Sequence, residues 1–208
     1  MIRALISDFG GVLTTPLIES FLAYQRETGT SLEDLGAAMA KLMQEDGGRH
    51  PLFELEKGNI SEDEFTRRLG AALGRELWSM RDVYFDNLHP NEPMIEYMRG
   101  LREDGVRLAL LTNNVREWEP LWRAKLPDVD ELFEVVVDSG FVGMRKPDPE
   151  IYELTLERLG DGLRAEQCAF LDDIEVNCDA ARALGMTAIR FHDNEQAIAE
   201  LNAALDRA

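Results

Sequence analysis

No stretch of this 208-residue chain approaches the roughly 20 consecutive apolar residues that a membrane-spanning helix needs, although 45% of its residues are apolar. Positive charge is also scarce: 22 Lys and Arg stand against 40 Asp and Glu, a formal net charge of −18. Such a field repels nucleic acids and anionic lipid surfaces unless a local basic patch overrides it, and no basic run is present. The N-terminus shows no basic segment ahead of its short apolar run, so an unexported, cytoplasmic protein is expected, with neither nucleic acid nor membrane as partner. Two cysteines, Cys168 and Cys178, read as buried free thiols rather than a disulfide. The three histidines, His50, His89 and His192, have no zinc-ligand spacing. Internal repeats and low-complexity tracts are absent as well.

What the chain does have is a series of short apolar runs that end in polar residues: RALISD, RLALLTNN, FEVVVDSG, CAFLDD and, near the C-terminus, TAIRF. Helical patterns separate the later ones, and two of these helices are expected to stop at Gly105 and Gly160. Buried strands alternating with helices predict an α/β fold, a Rossmann-like open parallel sheet with helices on both faces. Ligands of such sheets bind outside the carboxyl ends of the strands. Asp8, Thr112, Asn113, Asn114, Asp172 and Asp173 all fall at those ends.

Residues 16–88 read differently, as helices alone, and are expected to form a small all-helical cap inserted after the first strand; 1–15 and 89–208 form the α/β core. Ser31 with Asp34 and Ser61 with Glu64 have the spacing of helix-starting capping boxes. Phe65, Leu69 and Leu73 recur at helical spacing and read as core.

In order along the chain, DFGGVLT, LLTNN, MRKPDPEIY and FLDDIEVNCDAARALGM resemble the four motifs of the haloacid dehalogenase-like hydrolases. The nearest resemblance is to the phosphatases with a helical cap, which include sugar-phosphate phosphatases and the phosphatase domain of soluble epoxide hydrolases. It implies a Mg²⁺-dependent phosphatase that cleaves a small phosphorylated metabolite, such as a sugar phosphate, through an aspartyl-phosphate. Asp8 at a strand end can attack phosphorus and split one hard hydrolysis into two easier steps. Thr112 and Asn113 can donate hydrogen bonds to phosphoryl oxygens, and the backbone at Gly10 and Gly11 can close around the anion. Lys146 supplies a fixed cation, while its neighbour Arg145 can be read as a solvated loop residue. Adjacent acids such as Asp172 and Asp173 repel each other unless a cation intervenes, and Mg²⁺ takes hard oxygen ligands while bridging to phosphate. By resemblance, Asp8 and Asp173 ligate the metal, Gly10 lends its backbone carbonyl, and Asp172 acts directly or through water. Asn177 steadies the acidic loop.

One position departs from the pattern. Family phosphatases usually carry a second Asp two residues after the nucleophile, where it protonates the leaving oxygen; here that residue is Gly10. Three readings follow: substrates whose leaving group departs easily, a replacement acid from the cap (Glu19, Asp46 or His50), or a phosphate-binding homologue with weak turnover. A metal-independent carbon–halogen hydrolase is a further alternative, against which the paired acids of FLDD argue.

Overall fold

The computed structural model describes residues 2–77 and 80–206. Strand β1 (Ala4–Ser7) is followed by helices α1 (Leu17–Thr28), α2 (Leu32–Glu45), α3 (Pro51–Glu56), α4 (Glu62–Leu73) and α5 (Met80–Asp86). Then come α6 (Glu92–Glu103), β2 (Arg107–Thr112), α7 (Glu119–Lys125), α8 (Val129–Leu132), β3 (Val135–Asp138), α9 (Ser139–Val142) and α10 (Pro149–Leu159). The chain ends with β4 (Cys168–Asp172), α11 (Glu175–Ala183), β5 (Thr187–Arg190) and α12 (Asn194–Ala204). The sheet is wholly parallel in the order β3-β2-β1-β4-β5.

Side-chain alternation divides the core between the two faces of the sheet. Leu5, Leu108, Leu110, Ala169, Leu171 and Ile189 face one way, against Met94 and Met98 of α6, Trp122 of α7 and Leu201 of α12. Ala4, Ile6, Ala109, Leu111, Cys168 and Phe170 face the other, against Ile151 and Tyr152 of α10 and Cys178 and Ala181 of α11. Helices on both faces are therefore what these buried strands require, as expected. Both cysteines are buried free thiols. From β3 the chain returns past β1 to form β4, so the order reverses between β1 and β4. That reversal opens the crevice in which parallel sheets hold ligands.

The helical insert has an apolar centre of its own, which includes Tyr24, Leu35, Leu42, Leu55, Phe65 and Leu69. Ser31 accepts from Asp34 N at 3.0 Å while Asp34 accepts from Ser31 N, and Ser61 accepts from Glu64 N at 3.2 Å. The division between layers is less sharp than the expected boundaries. Phe85 and Leu88 pack into the core of the sheet, and Val115 and Trp118, which follow β2, pack against the insert. Four helices lie outside the sequence patterns: α3, six residues long with Pro51 at its first position, the four-residue α8 and α9, and α12, whose Asp193 caps Gln196 N at 2.9 Å. The last helix of the 16–88 segment is observed from Met80 to Asp86; positions 78 and 79 lie outside the described residues.

The insert joins the core by two adjacent connections. Thr15 N donates to His89 O at 2.8 Å, and Thr14 forms an antiparallel bridge with Pro90. It also touches the core beyond α3. Lys57 Nζ lies 2.8 Å from Asp148, and Arg145 Nε donates to Glu56 at 2.7 Å. Gly58, at φ +68°, comes so near Gly140 that a Cβ there would stand 2.5 Å from the Gly140 carbonyl oxygen.

Candidate active site

The strand ends around the β1/β4 reversal bring the predicted residues together. Asp8 follows β1 directly, and its backbone N–H donates to Leu171 O at 2.8 Å, which sets it level with the end of β4. Asp8, Asp172 and Asp173 each offer a carboxylate oxygen within 4.8 Å of the others. No other such group of three His, Cys, Asp or Glu side chains is found among the described residues. Lys146 enters from the loop before α10. It is 1% exposed, and its ammonium lies 2.7 Å from both Asp8 Oδ1 and Asp172 Oδ2.

The acids are not equivalent. Asp172 is saturated: Lys146 Nζ and Asn177 Nδ2 reach Oδ2, while Ile174 N and Asn177 Nδ2 reach Oδ1. Asn177, one turn into α11, thus holds both oxygens of Asp172. Asp173 differs, because its Oδ1 is buried without any hydrogen-bond partner. A buried carboxylate oxygen left unpaired is costly and suits a site built for a cation. Burial raises the Asp8 carboxyl to about 7; Lys146 opposes that rise, and Asp172 and Asp173 reinforce it. Burial, then the Asp172 carboxylate, raises Asp173 to about 6. Burial works against the charge of Lys146, but Asp172 and Asp8 outweigh it and hold the ammonium above its ordinary value. Three acids, two of them buried and the third half-buried, facing one lysine leave excess negative charge, and the donor set, all hard oxygens, fits Mg²⁺.

Gly11, at φ +78°, is where the loop admits no side chain: a Cβ would stand 2.5 Å from Asp173 Oδ2. Gly10 is outside the left-handed region, and the nearest atoms to a Cβ there would be the Leu17 methyls, at 3.1 Å. Thr112 is buried at the end of β2. Asn113 has a use the sequence did not reveal. Its carboxamide accepts from Lys146 N at 2.8 Å and donates to Lys146 O at 2.9 Å, so it clamps the lysine loop.

A haloacid dehalogenase-like hydrolase family model matches residues 2–185. The chain belongs to that family. It is 29% identical to the sesquiterpene phosphatase astK of Aspergillus oryzae over 96% of this chain and 94% of that one. It is 30% identical to a phosphorylated carbohydrates phosphatase of Thermotoga maritima, over 90% of this chain and 83% of the relative. The rat bifunctional epoxide hydrolase 2 is 28% identical over 96% of this chain, which spans only 38% of that longer protein. In fold, the hydrolase superposes on a family enzyme from Bacteroides thetaiotaomicron solved with magnesium and inorganic phosphate. The TM-score is 0.70 at 24% identity, over 95% of this chain and 99% of that one.

None of the acids or the histidine considered as replacements in the insert lines the space beside Gly10. Glu19 is exposed on α1, Asp46 pairs with Arg68, and His50 stacks on Phe53 with ring centroids 4.4 Å apart. The carboxylates that do line that space are Glu56 and Glu62. Burial raises Glu56 above its usual value, against the pull of Arg145. Arg145 is no solvated loop residue, for its guanidinium also lies 3.8 Å from the Phe53 ring centre. In the sequence, Glu56 is one acid in the segment FELEKGN, with nothing to distinguish it.

Proposed function

We propose that this hydrolase is a Mg²⁺-dependent phosphatase acting on a small phosphate monoester, with Asp8 as the nucleophile. The observation that carries this reading is the buried meeting of Asp8, Asp172 and Asp173 around Lys146 at the sheet reversal. Asp8 attacks phosphorus through a carboxylate oxygen; the P–O bond to the alcohol breaks, and an aspartyl-phosphate remains. Water then attacks that phosphorus and releases inorganic phosphate and free Asp8. Lys146 neutralises nucleophile and phosphoryl group together, and the Thr112 hydroxyl and Asn113 main-chain N–H donate to phosphoryl oxygens. Asp172 positions Lys146, and Asn113 fixes the backbone that carries it. Asp8, Asp173 and the Gly10 carbonyl would hold Mg²⁺, which supplies charge stabilisation at the phosphoryl oxygens when bound. The three-acid cluster disfavours the carbon–halogen alternative, which needs an aspartate nucleophile but no cation.

The test is turnover of an aryl phosphate with Mg²⁺ by the parent and by Asp8→Asn. The variant loses turnover because an amide oxygen cannot replace the carboxylate, and mass spectrometry after acid quench finds phosphate on the Asp8 peptide of the parent alone. Equal rates in the two proteins would sink the assignment.

A further inference from the structure

Beside the carboxylate site lies a partly enclosed cavity of about 210 Å³. Gly10, Thr112 and Asn113 line it where it meets the site, and much of the rest of its wall is Phe21, Met39, Leu52, Phe65, Tyr84 and Trp118. Those six side chains present rings, methyl groups and a thioether, and their only polar atoms are the Tyr84 hydroxyl and the Trp118 indole N–H, which is buried without a partner; two such groups are too few to satisfy the hydroxyls of a sugar. The two carboxylates that reach the wall are already engaged: Glu56 accepts from Arg145 Nε at 2.7 Å, and Glu62 from Arg81 Nη1 at 3.1 Å. A polyol brought here would bury several hydroxyls facing apolar surface, and each buried hydroxyl without a partner weakens binding.

We propose that this cavity holds the alcohol half of the substrate, and that this half is a hydrocarbon group, aliphatic or aromatic, rather than a sugar. The proposal rests on the phosphatase reading above and adds the substrate class to it. The carbohydrate and sesquiterpene phosphatases among the relatives carry names that point to opposite kinds of alcohol, so the wall of this chain decides between them. Size narrows the class further. A dry cavity of about 150 Å³ lined by Leu, Ile and Phe holds one benzene. By the same proportion the volume here holds about eight carbons.

The experiment has two arms on the same protein with Mg²⁺ present. In the first, kcat/KM is measured for n-alkyl phosphates from ethyl to dodecyl, kept below their aggregation concentrations, alongside glucose 6-phosphate, whose leaving group is also a primary alcohol, and acetyl phosphate. Leaving-group basicity hardly changes along the alkyl series, so the slope reports burial. The expected rise is about fourfold per methylene, the equivalent of about 0.8 kcal/mol, levelling off near octyl, with octyl phosphate well ahead of glucose 6-phosphate. In the second arm, calorimetric binding of n-alkylphosphonates, which cannot be hydrolysed, follows the same slope. Met39→Trp and Leu52→Phe each fill the cavity and move the plateau to shorter chains; if one fails to fold, the other carries the comparison. Turnover of acetyl phosphate with a flat alkyl series in both arms overturns the hydrocarbon assignment and leaves the phosphatase standing. A rising phosphonate series without turnover of any ester supports the apolar site and overturns hydrolysis. Failure in both arms overturns both.

Discussion

Placing a carboxyl at position 10 is the sharpest probe of how this hydrolase works without the usual acid. With Gly10 in place, no carboxyl at that position can protonate the leaving oxygen, and its basicity should control the first step. Aryl and acyl phosphates should then react far faster than alkyl phosphates. The backbone accepts the change, since Gly10 is outside the left-handed region; Gly11, at φ +78° and beneath Asp173, is the residue that cannot be replaced. The obstacle is Leu17, whose methyls would lie 3.1 Å from the new Cβ and must give by a few tenths of an ångström. Overpacking of that kind costs about 1–3 kcal/mol, so Gly10→Asp is best made both alone and with Leu17→Ala, which vacates the space. General acid catalysis contributes about 10²–10⁴-fold, or roughly 3–5 kcal/mol of barrier. The assay is a plot of log kcat/KM against leaving-group pKa under conditions where the first step limits the rate, with circular dichroism to check the fold. The expected result is a steep parent line that flattens in the double variant, with the gain concentrated in alkyl esters. A folded double variant with the parent's slope would refute the idea that the missing acid limits the rate. A flat parent line would refute an acid-free site and direct attention to Glu56.

Three further outcomes follow from the charge balance. Lys146→Met leaves two buried carboxylates without their cation and should destabilise the metal-free protein by about 3–5 kcal/mol at pH 8, with less loss at pH 5, measured by urea unfolding. Mg²⁺ at about 100 times its dissociation constant should stabilise the fold by about 2.7 kcal/mol if only the native state binds it; Asp173→Ala should abolish that gain, and a melting temperature indifferent to Mg²⁺ would oppose a preformed site. Burial raises Asp8 from 3.8 to about 7, so between those values the native state holds more protons than the unfolded chain. Metal-free stability should therefore fall as pH rises through that window. Asp8→Asn should flatten the pH profile, and an unchanged profile would locate the strain elsewhere.

The parts of this molecule that were legible in its sequence are those whose local pattern and final role coincide. The runs ALIS and CAFLD are apolar because both faces of their strands are covered, and the acids that follow them come together as their positions suggested. Asn177 and Lys146 were legible for the same reason. Asn113 was half legible: its place at a strand end was clear, but its clamp on Lys146 depends on a loop 33 residues away. Helix α3 is too short to show a period, and the exposed face of α12 obscures a capping signal that is present at Asp193. Phe65 shows the limit of periodicity most plainly. It reads as core and is core, yet it also lines the cavity, and no spacing distinguishes a side chain that packs on its neighbours from one that also awaits a guest. Glu19, Asp46 and His50 were eligible by residue type alone, and the fold turns each away from the space beside Gly10.

The attachments of the helical insert have a mechanical consequence. At one edge it is tied covalently, where Thr15 and His89 run side by side; beyond α3 it is tied by Glu56–Arg145 and Lys57–Asp148. A lid hinged at the first edge cannot swing without breaking both ion pairs, and the residues it releases, Arg145 and Asp148, flank Lys146 in the chain. Parting that edge would leave one cation and one anion, Arg145 and Asp148, on either side of Lys146 and carry one of each sign, Lys57 and Glu56, away with the insert. The two pairs are therefore a charge-neutral latch, which ties the insert to the loop that carries the lysine without altering the net charge around it.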